Sequence, residues 1–196
     1  MNVSVYTDIS LLRHGETEGG ARYRGITDDP LTATGREQMW AAVGAECRWD
    51  SIVSSPLMRC AEFARALAQH HSLPLRLESR LREMNFGAWD GQTAAEIMQT
   101  DAEALQRFWN DPWRHGPPGG ESLAQLRTRV LDAWHDIVNE FRSTLVITHG
   151  GPIRLILCEL WRYPDKRLLD IEVPIASLRR ALVPRPQATA LEAYPS

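Results

Sequence analysis

The chain has 196 residues, of which 43% are hydrophobic and 24% are charged, so its length and composition suit one globular domain with its own core. The formal net charge of −3 excludes a broad basic surface for nucleic acid or an anionic membrane, and no apolar run approaches the roughly 20 residues that span a bilayer. We therefore expect neither nucleic acid nor a membrane as a partner.

The thiols and the start of the chain bear on the compartment. The three cysteines, Cys47, Cys60 and Cys158, are widely spaced and form no C-x-x-C pair, so we expect reduced thiols in or near the core. Asp8 interrupts the apolar stretch near the start, and no basic segment precedes it, so no signal peptide is predicted. A cytoplasmic protein is the resulting expectation, with its oligomeric state left open.

Strand-like and helix-like segments alternate along the chain, which is typical of α/β folds. Residues 9–13 predict a first buried strand, and Thr32 is a suitable N-cap for the helix that follows. Residues 50–54 predict a second strand. After it, Ser55 and Pro56 have the residue types of an N-cap and a first-turn proline.

The middle of the chain combines one further strand with a less regular region. Residues 75–78 predict the strand, whereas residues 85–120 are rich in Trp, Asp, Pro and Gly and are interpreted as a lid or rim between core elements. Ser122 and Gln125 form a capping box before the most regular helical pattern in the sequence. We expect a single domain over residues 1–196 that carries this lid.

The last part of the chain predicts the remaining core elements. Residues 144–148 form a short β-rich run, and Pro152 suits the first turn of another helix. Residues 171–173 and 176–183 predict final strands. Beyond Pro184 the tail is rich in Pro and Ala and is expected to fray.

Basic and imidazole side chains follow the predicted strands. Arg13 and His14 follow the first strand, Arg59 lies in the first turn of the helix after the second, and His149 ends the strand before Pro152. Ligands of open α/β sheets bind beyond the carboxyl ends of the strands, and helix N-termini attract anions. The pattern predicts an anion site, for which phosphate is the obvious candidate.

Glu83 adds a carboxyl group to this set. A carboxylate near phosphate is repelled, so a reason to place one there is to deliver a proton. Taken singly, each of these residues has an ordinary structural explanation, which we also assign to His70, His71, His115 and His135, so the prediction depends on the joint pattern. No H-x-H, D-x-D or Cys/His cluster suggests a metal site, and no cofactor is expected.

Four segments, in order along nearly the whole chain, resemble the motifs of the histidine phosphatase superfamily, which includes the phosphoglycerate mutases. They are Leu12-Arg13-His14-Gly15-Glu16-Thr17; Ser54-Ser55-Pro56-Leu57-Met58-Arg59-Cys60-Ala61; Leu81-Arg82-Glu83 with Phe86-Gly87-Ala88-Trp89-Asp90-Gly91; and Thr148-His149-Gly150-Gly151 with Ile153-Arg154. On all four together the chain is identified as a member of that superfamily.

The resemblance implies a role for each residue of the predicted site. His14 is the implied nucleophile and forms a covalent phosphohistidine, while Arg13, Arg59 and His149 hold the phosphoryl group. Glu83 is the implied general acid and then the general base. The implied fold is a three-layer α/β/α sandwich around a mostly parallel sheet, and the implied chemistry needs no metal because arginines supply the positive charge.

The sequence departs from the family pattern at one point. Members often carry an Asn a few residues after the Glu-Thr pair, where it helps to bind phosphate, but here Glu18-Gly19-Gly20 occupies that region. One phosphate contact is lost or is replaced by the glycine backbone, by Arg22 or by Arg24. Gly20, Arg24 and Gly150 are the positions expected to make secondary contacts.

Within the superfamily, the chain is most similar to bacterial phosphatases of α-ribazole 5′-phosphate, which act in cobalamin biosynthesis. That similarity rests on Thr7-Asp8-Ile9, Glu18-Gly19-Gly20, Tyr23-Arg24-Gly25 and residues 101–109 before Pro117-Pro118-Gly119-Gly120-Glu121. It implies a small phosphate ester as substrate. Trp89, Phe108, Trp109 and Trp113 either form an aromatic wall for its benzimidazole base or pack the lid.

Two alternatives differ in kind from this phosphatase. The first is a phosphoglycerate mutase-type enzyme or a broad-specificity phosphatase, although the connection from Glu83 to His149 is short for the mutase branch. The second is a non-catalytic scaffold that binds phosphate. A degenerate scaffold should have lost catalytic residues, whereas all of them are present here.

Overall fold

A five-stranded sheet lies at the centre of the computed structural model, which describes residues 6–45, 47–141 and 143–184. The strands are β1 (Tyr6–Arg13), β2 (Ser51–Ser54), β3 (Leu75–Leu77), β4 (Ser143–Thr148) and β5 (Leu178–Pro184). Their order in the sheet is β3-β2-β4-β1-β5, in which β5 is antiparallel to β1 and the other neighbouring pairs are parallel.

The register of the parallel strands brings their carboxyl ends to one edge of the sheet. Arg13 lies opposite Thr148, and Ser54 lies opposite Ile147. The segments that follow β1, β2 and β4 therefore leave the sheet side by side, where an open α/β sheet binds its ligand. Side-chain alternation also divides the core, since Leu11 packs on one face of the sheet and Leu12 on the other.

Helices cover both faces of the sheet. They are α1 (Ala33–Val43), α2 (Met58–His71), α3 (Ala94–Thr100), α4 (Ala102–Asn110), α5 (Leu123–Glu140) and α6 (Gly150–Trp161). Helices α1 and α2 share an apolar cluster with Leu12 and Ile52, whereas α3 to α6 share the opposite cluster with Leu11 and Val53. The predicted three-layer α/β/α sandwich around a mostly parallel sheet is confirmed. Across the described ranges, none of the helices is long and apolar enough to cross a bilayer.

Local sequence signals set two of the helix starts as predicted. The Thr32 hydroxyl accepts a hydrogen bond from the Gly35 N–H at 2.9 Å and caps α1. At the start of α5, Ser122 and Gln125 form a reciprocal capping box. The apolar residues of both helices pack against the sheet, so the capping residues and the helical spacing of apolar residues predict the same elements.

The prediction that Ser55 and Pro56 begin a helix is wrong. Helix α2 begins at Met58, and its N-cap position is Leu57. The backbone N–H of Ser55 donates to the Ile147 carbonyl at 2.9 Å, so this residue still pairs with β4 instead of starting a helix. Its hydroxyl is thereby kept at the edge of the sheet, next to the site described below.

The strand predicted at residues 171–173 is also absent from the described structure, although β5 confirms a strand within residues 176–183. The carbonyls of Ile171 and Val173 accept hydrogen bonds from the side chains of Arg154 and Arg13 instead of from a neighbouring strand. Hydrogen bonds from distant arginine side chains thus satisfy the carbonyls that a neighbouring strand would bind in a β-sheet. The tail beyond Pro184 lies outside the described residues.

The region interpreted as a lid, residues 85–120, contains α3 and α4, which were not predicted as helices. Its buried side chains include Trp89, Ile97 and Leu105, which pack in the cluster beneath α5 and α6. The region is therefore anchored to the core by apolar burial. Its action as a lid and the single domain over residues 1–196 stay predictions.

Candidate active site

His14 lies directly beyond β1 and is held from both sides. Its N–H donates to the Thr148 carbonyl at 3.1 Å, and its own carbonyl accepts from Ala176 at 3.0 Å. The side chain is 8% exposed, and its Nδ1 lies 2.8 Å from the Gly15 carbonyl oxygen. Since a carbonyl can only accept, Nδ1 carries the proton in the neutral ring and Nε2 keeps a free lone pair.

His14 faces a cavity of about 320 Å³ that two of the predicted secondary positions also line, Gly20 and Arg24. Arg24 donates to the carbonyls of Glu18 and Gly20 at 2.9 and 3.0 Å and pairs with Asp29 at 2.6 Å. Its guanidinium therefore shapes the loop that replaces the family Asn. Whether this loop contacts phosphate stays a prediction.

Arg59 is fully buried in the first turn of α2. Its Nε donates to Nδ1 of His149 at 3.2 Å, and its Nη1 donates to the Thr27 carbonyl at 2.9 Å. Its Nη2 donates to the carbonyls of Arg24 and Gly25, both at 3.2 Å. The guanidinium is thus held between a loop and a histidine at the carboxyl edge of the sheet.

Asp90 orders the loop that holds Arg59, a role that the sequence analysis missed. Its carboxylate accepts from the N–H groups of Gly25, Ile26 and Thr27 at 2.8 to 2.9 Å and from the Thr27 hydroxyl. Burial raises the pKa of Asp90, but these hydrogen bonds outweigh burial and hold the pKa below its usual value. The signal available in the sequence was its place in the third motif.

His149 is fully buried, and its ring centroid lies 5.3 Å from that of His14. Because its Nδ1 accepts from Arg59, its Nε2 carries the proton and donates to the Ser55 hydroxyl at 2.8 Å. Both ring nitrogens therefore contact protein groups. The structure brings His149 to the site and shows it aligning Arg59, while its predicted contact with phosphate stays a prediction.

Arg13 and Arg154 approach the start of α6 from two directions. Arg13 donates to the Val173 carbonyl at 2.5 Å, and its buried Nε has no partner within the described residues. A Cβ at Gly150 would lie 3.0 Å from Nη1 of Arg154 and 3.5 Å from Cζ of Arg13. The predicted position Gly150 thus leaves room for both guanidinium groups, and Arg154 is a further site residue that was not predicted.

These three arginines lack a direct ion-pair partner in the part of the chain that the structure describes. Among the described residues, Arg13, Arg59 and Arg154 form no ion pair within 4.0 Å, unlike Arg24 with Asp29. Burial lowers the pKa of Arg13 and of Arg59, and the Glu83 charge opposes the shift in both; Arg154 and Arg59 lower the pKa of Arg13 further, and Arg24 lowers that of Arg59. A group of cations without ion-pair partners attracts an anion.

The carboxyl group of Glu83 lies at the N-terminus of α6. Its Oε2 accepts from the Gly151 N–H at 3.2 Å, and its Oε1 accepts from the Met84 N–H at 3.0 Å. A Cβ at Gly151 would lie 2.3 Å from Oε1, so glycine is needed for this approach. The predicted acid is therefore placed by the helix that begins after His149.

A second cavity of about 280 Å³ opens beside Glu83 and Arg154. Of the predicted aromatic wall, Phe108 and Trp109 line it, whereas Trp89 is in the core and Trp113 donates to the Asp165 carbonyl at 3.0 Å. Tyr23 and Phe86, which were not predicted, complete the aromatic lining. The cavity could accept a flat, apolar leaving group next to a cation.

Both histidines of the site are neutral near pH 7. Burial lowers the pKa of His14 to about 3, and the positive charges of Arg59 and Arg13 add to the shift although the Gly15 carbonyl opposes it. Burial and the Arg59 charge hold the pKa of His149 well below its usual value. Within the described ranges, no group of three or more His, Cys, Asp or Glu side chains is placed to hold a metal ion.

The comparison with known sequences identifies related phosphatases. The family described as "Histidine phosphatase superfamily (branch 1)" matches residues 9–194. The glucosyl-3-phosphoglycerate phosphatase of Mycolicibacterium vanbaalenii is 34% identical over 167 residues, 79% of this chain and 74% of that protein. The adenosylcobalamin/alpha-ribazole phosphatase of Escherichia coli is 31% identical over 170 residues, 83% of each. A bifunctional protein of Mycobacterium tuberculosis is 37% identical over 158 residues, and the chain spans 43% of its length.

Two solved structures with the same fold are described by the same two activities. The alpha-ribazole phosphatase of Shigella flexneri has a TM-score of 0.78 and 26% identity, covering 91% of this chain and 95% of that one. The mycobacterial glucosyl-3-phosphoglycerate phosphatase has a TM-score of 0.78 and 29% identity, covering 89% of each chain. The two specificities are thus represented at similar distance from this chain.

The buried imidazole of His14 makes stability depend on pH in a defined direction. Its folded-state pKa of about 3 lies below the ordinary value of 6.5, so the unfolded chain binds a proton that the folded chain does not, and stability falls as pH drops below 6.5. Between about pH 7 and pH 5 we expect the free energy of unfolding to fall by about 2 kcal/mol more in the wild type than in His14→Gln. Urea unfolding of both proteins measures this, and equal losses would contradict a depressed pKa.

Proposed function

Since the chain belongs to branch 1 of the histidine phosphatase superfamily and is a phosphatase, we propose that it hydrolyses phosphate monoesters through a phosphohistidine on His14. One observation carries this proposal: the buried, neutral imidazole of His14 lines the same cavity as Arg13, which has no carboxylate partner among the described residues, and Arg59 is near enough for its charge to lower the pKa of His14. A nucleophile and an anion site coincide at one edge of the sheet.

In the proposed first step, the site binds the phosphate of the ester. We assign its binding to Arg13, which lines the cavity of His14, and to Arg59 and Arg154; each charged hydrogen bond to phosphate contributes about 1.5–3 kcal/mol. The pattern of charge also favours the transition state, because phosphoryl transfer spreads negative charge over the equatorial oxygens. The proposal assigns this stabilisation to arginine side chains.

In the proposed chemical steps, Nε2 of His14 forms a bond to phosphorus while the bond from phosphorus to the ester oxygen breaks. Glu83 gives its proton to the departing oxygen, which leaves as an alcohol. Water then attacks the phosphohistidine as Glu83 takes a proton from it, and the bond between phosphorus and Nε2 breaks. Inorganic phosphate is released, and both side chains return to their starting forms.

The covalent step predicts a trapped intermediate. After rapid mixing with a labelled phosphate ester and a base quench, the wild type should carry acid-labile phosphate on His14, and His14→Ala should carry none and lose turnover. Native-like circular dichroism of the variant is the control for folding. Turnover that survives in folded His14→Ala would rule out this nucleophile and leave phosphate binding without covalent chemistry.

The proton-donor role predicts dependence on the leaving group. Glu83→Gln should lower kcat for alkyl phosphates by about 10²-fold or more, and kcat for aryl phosphates much less, because aryl oxides leave without a proton. Gly151→Ala should act in the same direction, since its Cβ would displace the Oε1 end of Glu83 while the fold survives. Values of kcat on both ester classes test this, and equal losses would argue against the acid role.

For the substrate, we propose α-ribazole 5′-phosphate, with the reaction in the cytoplasm. The phosphatases from Escherichia coli and Shigella flexneri named for this activity support it, as does the aromatic cavity beside Glu83, which suits a benzimidazole. A second candidate is a glucosyl-3-phosphoglycerate. The unpaired Arg154 at the same cavity favours it, because that ester carries a carboxylate close to its phosphate.

The substrate proposal predicts a ranking of kcat/KM. With a chelator present, α-ribazole 5′-phosphate should exceed 3-phosphoglycerate, glucosyl-3-phosphoglycerate and simple sugar phosphates by about a hundredfold, or ~2.7 kcal/mol of discrimination. Trp109→Ala should reduce that preference, because the ring lines the cavity. Similar rates on all esters would indicate a broad-specificity phosphatase, and a preference for the carboxylate esters would favour the second candidate.

A further inference from the structure

Arg129 of α5 lies behind Glu83 and uses every N–H that an arginine has. Its Nε and Nη2 pair with the two carboxylate oxygens of Glu121, both at 2.7 Å. Its Nη1 donates to the carbonyls of Arg80 and Arg82 at 2.7 Å each, and its Nη2 also donates to the Glu83 carbonyl at 2.9 Å. One guanidinium therefore binds three carbonyls of the segment that carries the proposed acid.

The carbonyls of this segment are bound by side chains and not by a neighbouring strand. Residues 80 and 81 belong to a 3₁₀ turn (Ser79–Leu81), residues 82 and 83 follow it, and none of the four belongs to a strand, so their carbonyls need donors from elsewhere. The Thr148 hydroxyl donates to the Leu81 carbonyl at 2.7 Å and supplies the remaining one. Side chains of α5 and β4 thus donate hydrogen bonds to four consecutive carbonyls, those of residues 80–83. The backbone at Glu83 and just before it is therefore fixed to the core.

Glu121 extends the same clamp beyond Glu83. Its N–H donates to the Asn85 carbonyl at 2.8 Å, and its carboxylate accepts from the Asn85 N–H at 3.3 Å. The side chains of Arg129 and Glu121 are 22% and 15% exposed, so the pair is partly desolvated. Because Glu121 neutralises Arg129, this arginine is suited to holding backbone and not to binding phosphate.

We propose that Arg129 is the positioning residue of the proton donor: its clamp sets the height of Glu83 above the ester oxygen. The inference rests on the proposed role of Glu83. While the Glu83 carbonyl points to Arg129, its carboxyl group points to the Gly151 N–H, so the two contacts fix opposite ends of one residue. Lysine keeps the charge but lacks the planar fork that reaches several acceptors at once.

The test compares Arg129→Lys with the wild type on 4-nitrophenyl phosphate and on glycerol phosphate, measuring kcat and KM separately. Glu83→Gln is assayed beside it as the reference for a missing acid. The matched control is Arg80→Lys, because the Arg80 side chain also ties this segment to α5, through Asp136, and pairs locally with Glu78, without touching the carbonyls near Glu83. Thermal unfolding of each variant reports loss of stability independently.

Arg129→Lys is expected to lower kcat on glycerol phosphate about 10- to 100-fold, as a displaced catalytic group does, and to change kcat on 4-nitrophenyl phosphate and both KM values little. Arg80→Lys should leave the ratio of the two kcat values at the wild-type level. If Arg129→Lys does not fold, Glu121→Gln should shift the ratio in the same direction by loosening the clamp.

Two results would overturn the inference, and they are distinguishable. In the first, Glu83→Gln lowers kcat mainly on glycerol phosphate, whereas Arg129→Lys and Glu121→Gln lower kcat equally on both esters. The clamp is then structural only, and the acid role of Glu83 stands. In the second, Glu83→Gln lowers kcat on both esters equally. The proposed acid role then fails, and the inference about Arg129 fails with it.

Discussion

The burial of the Arg59 guanidinium is the constraint on which the rest of the site depends. A fully buried charge has to be surrounded by acceptors, and here the Arg24, Gly25 and Thr27 carbonyls and a ring nitrogen of His149 supply them. Those carbonyls converge because the Asp90 carboxylate gathers the N–H groups of the same loop. A buried cation is thus held close to His14 by neutral acceptors, and its charge lowers the pKa of that histidine.

The arginines near the site divide by whether a carboxylate accompanies them. Arg24 and Arg129 are paired with Asp29 and Glu121, and both shape backbone segments by binding carbonyls. Arg13, Arg59 and Arg154 have no such partner among the described residues; Arg13 lines the cavity of His14, and Arg154 lines the cavity beside Glu83. Since the same side chain serves both purposes, the placement of acidic residues determines which cations remain to attract an anion.

Much of the fold and of the site could be predicted because the relevant signals are local. Alternation of strands and helices indicated an α/β fold, and the family resemblance implied its three layers. Because the carboxyl ends of parallel strands meet at one edge, Arg13, His14 and His149 were expected to be neighbours. The false strand at residues 171–173 and the misplaced cap at Ser55 have another origin. There, donors and acceptors come from residues far away in the sequence, which local propensity does not register.

The sequence by itself determined the order of the five strands and of helices α1, α2, α5 and α6, the residue types at the strand ends and the family that their motifs identify. Only the tertiary structure decided the chemical state of those residues. The tautomer and the low pKa of His14 depend on burial and on the Gly15 carbonyl, and the place of Glu83 depends on Gly151 and Arg129. Protonation and position arise from the groups that folding brings together, and most of those groups lie far from one another along the chain.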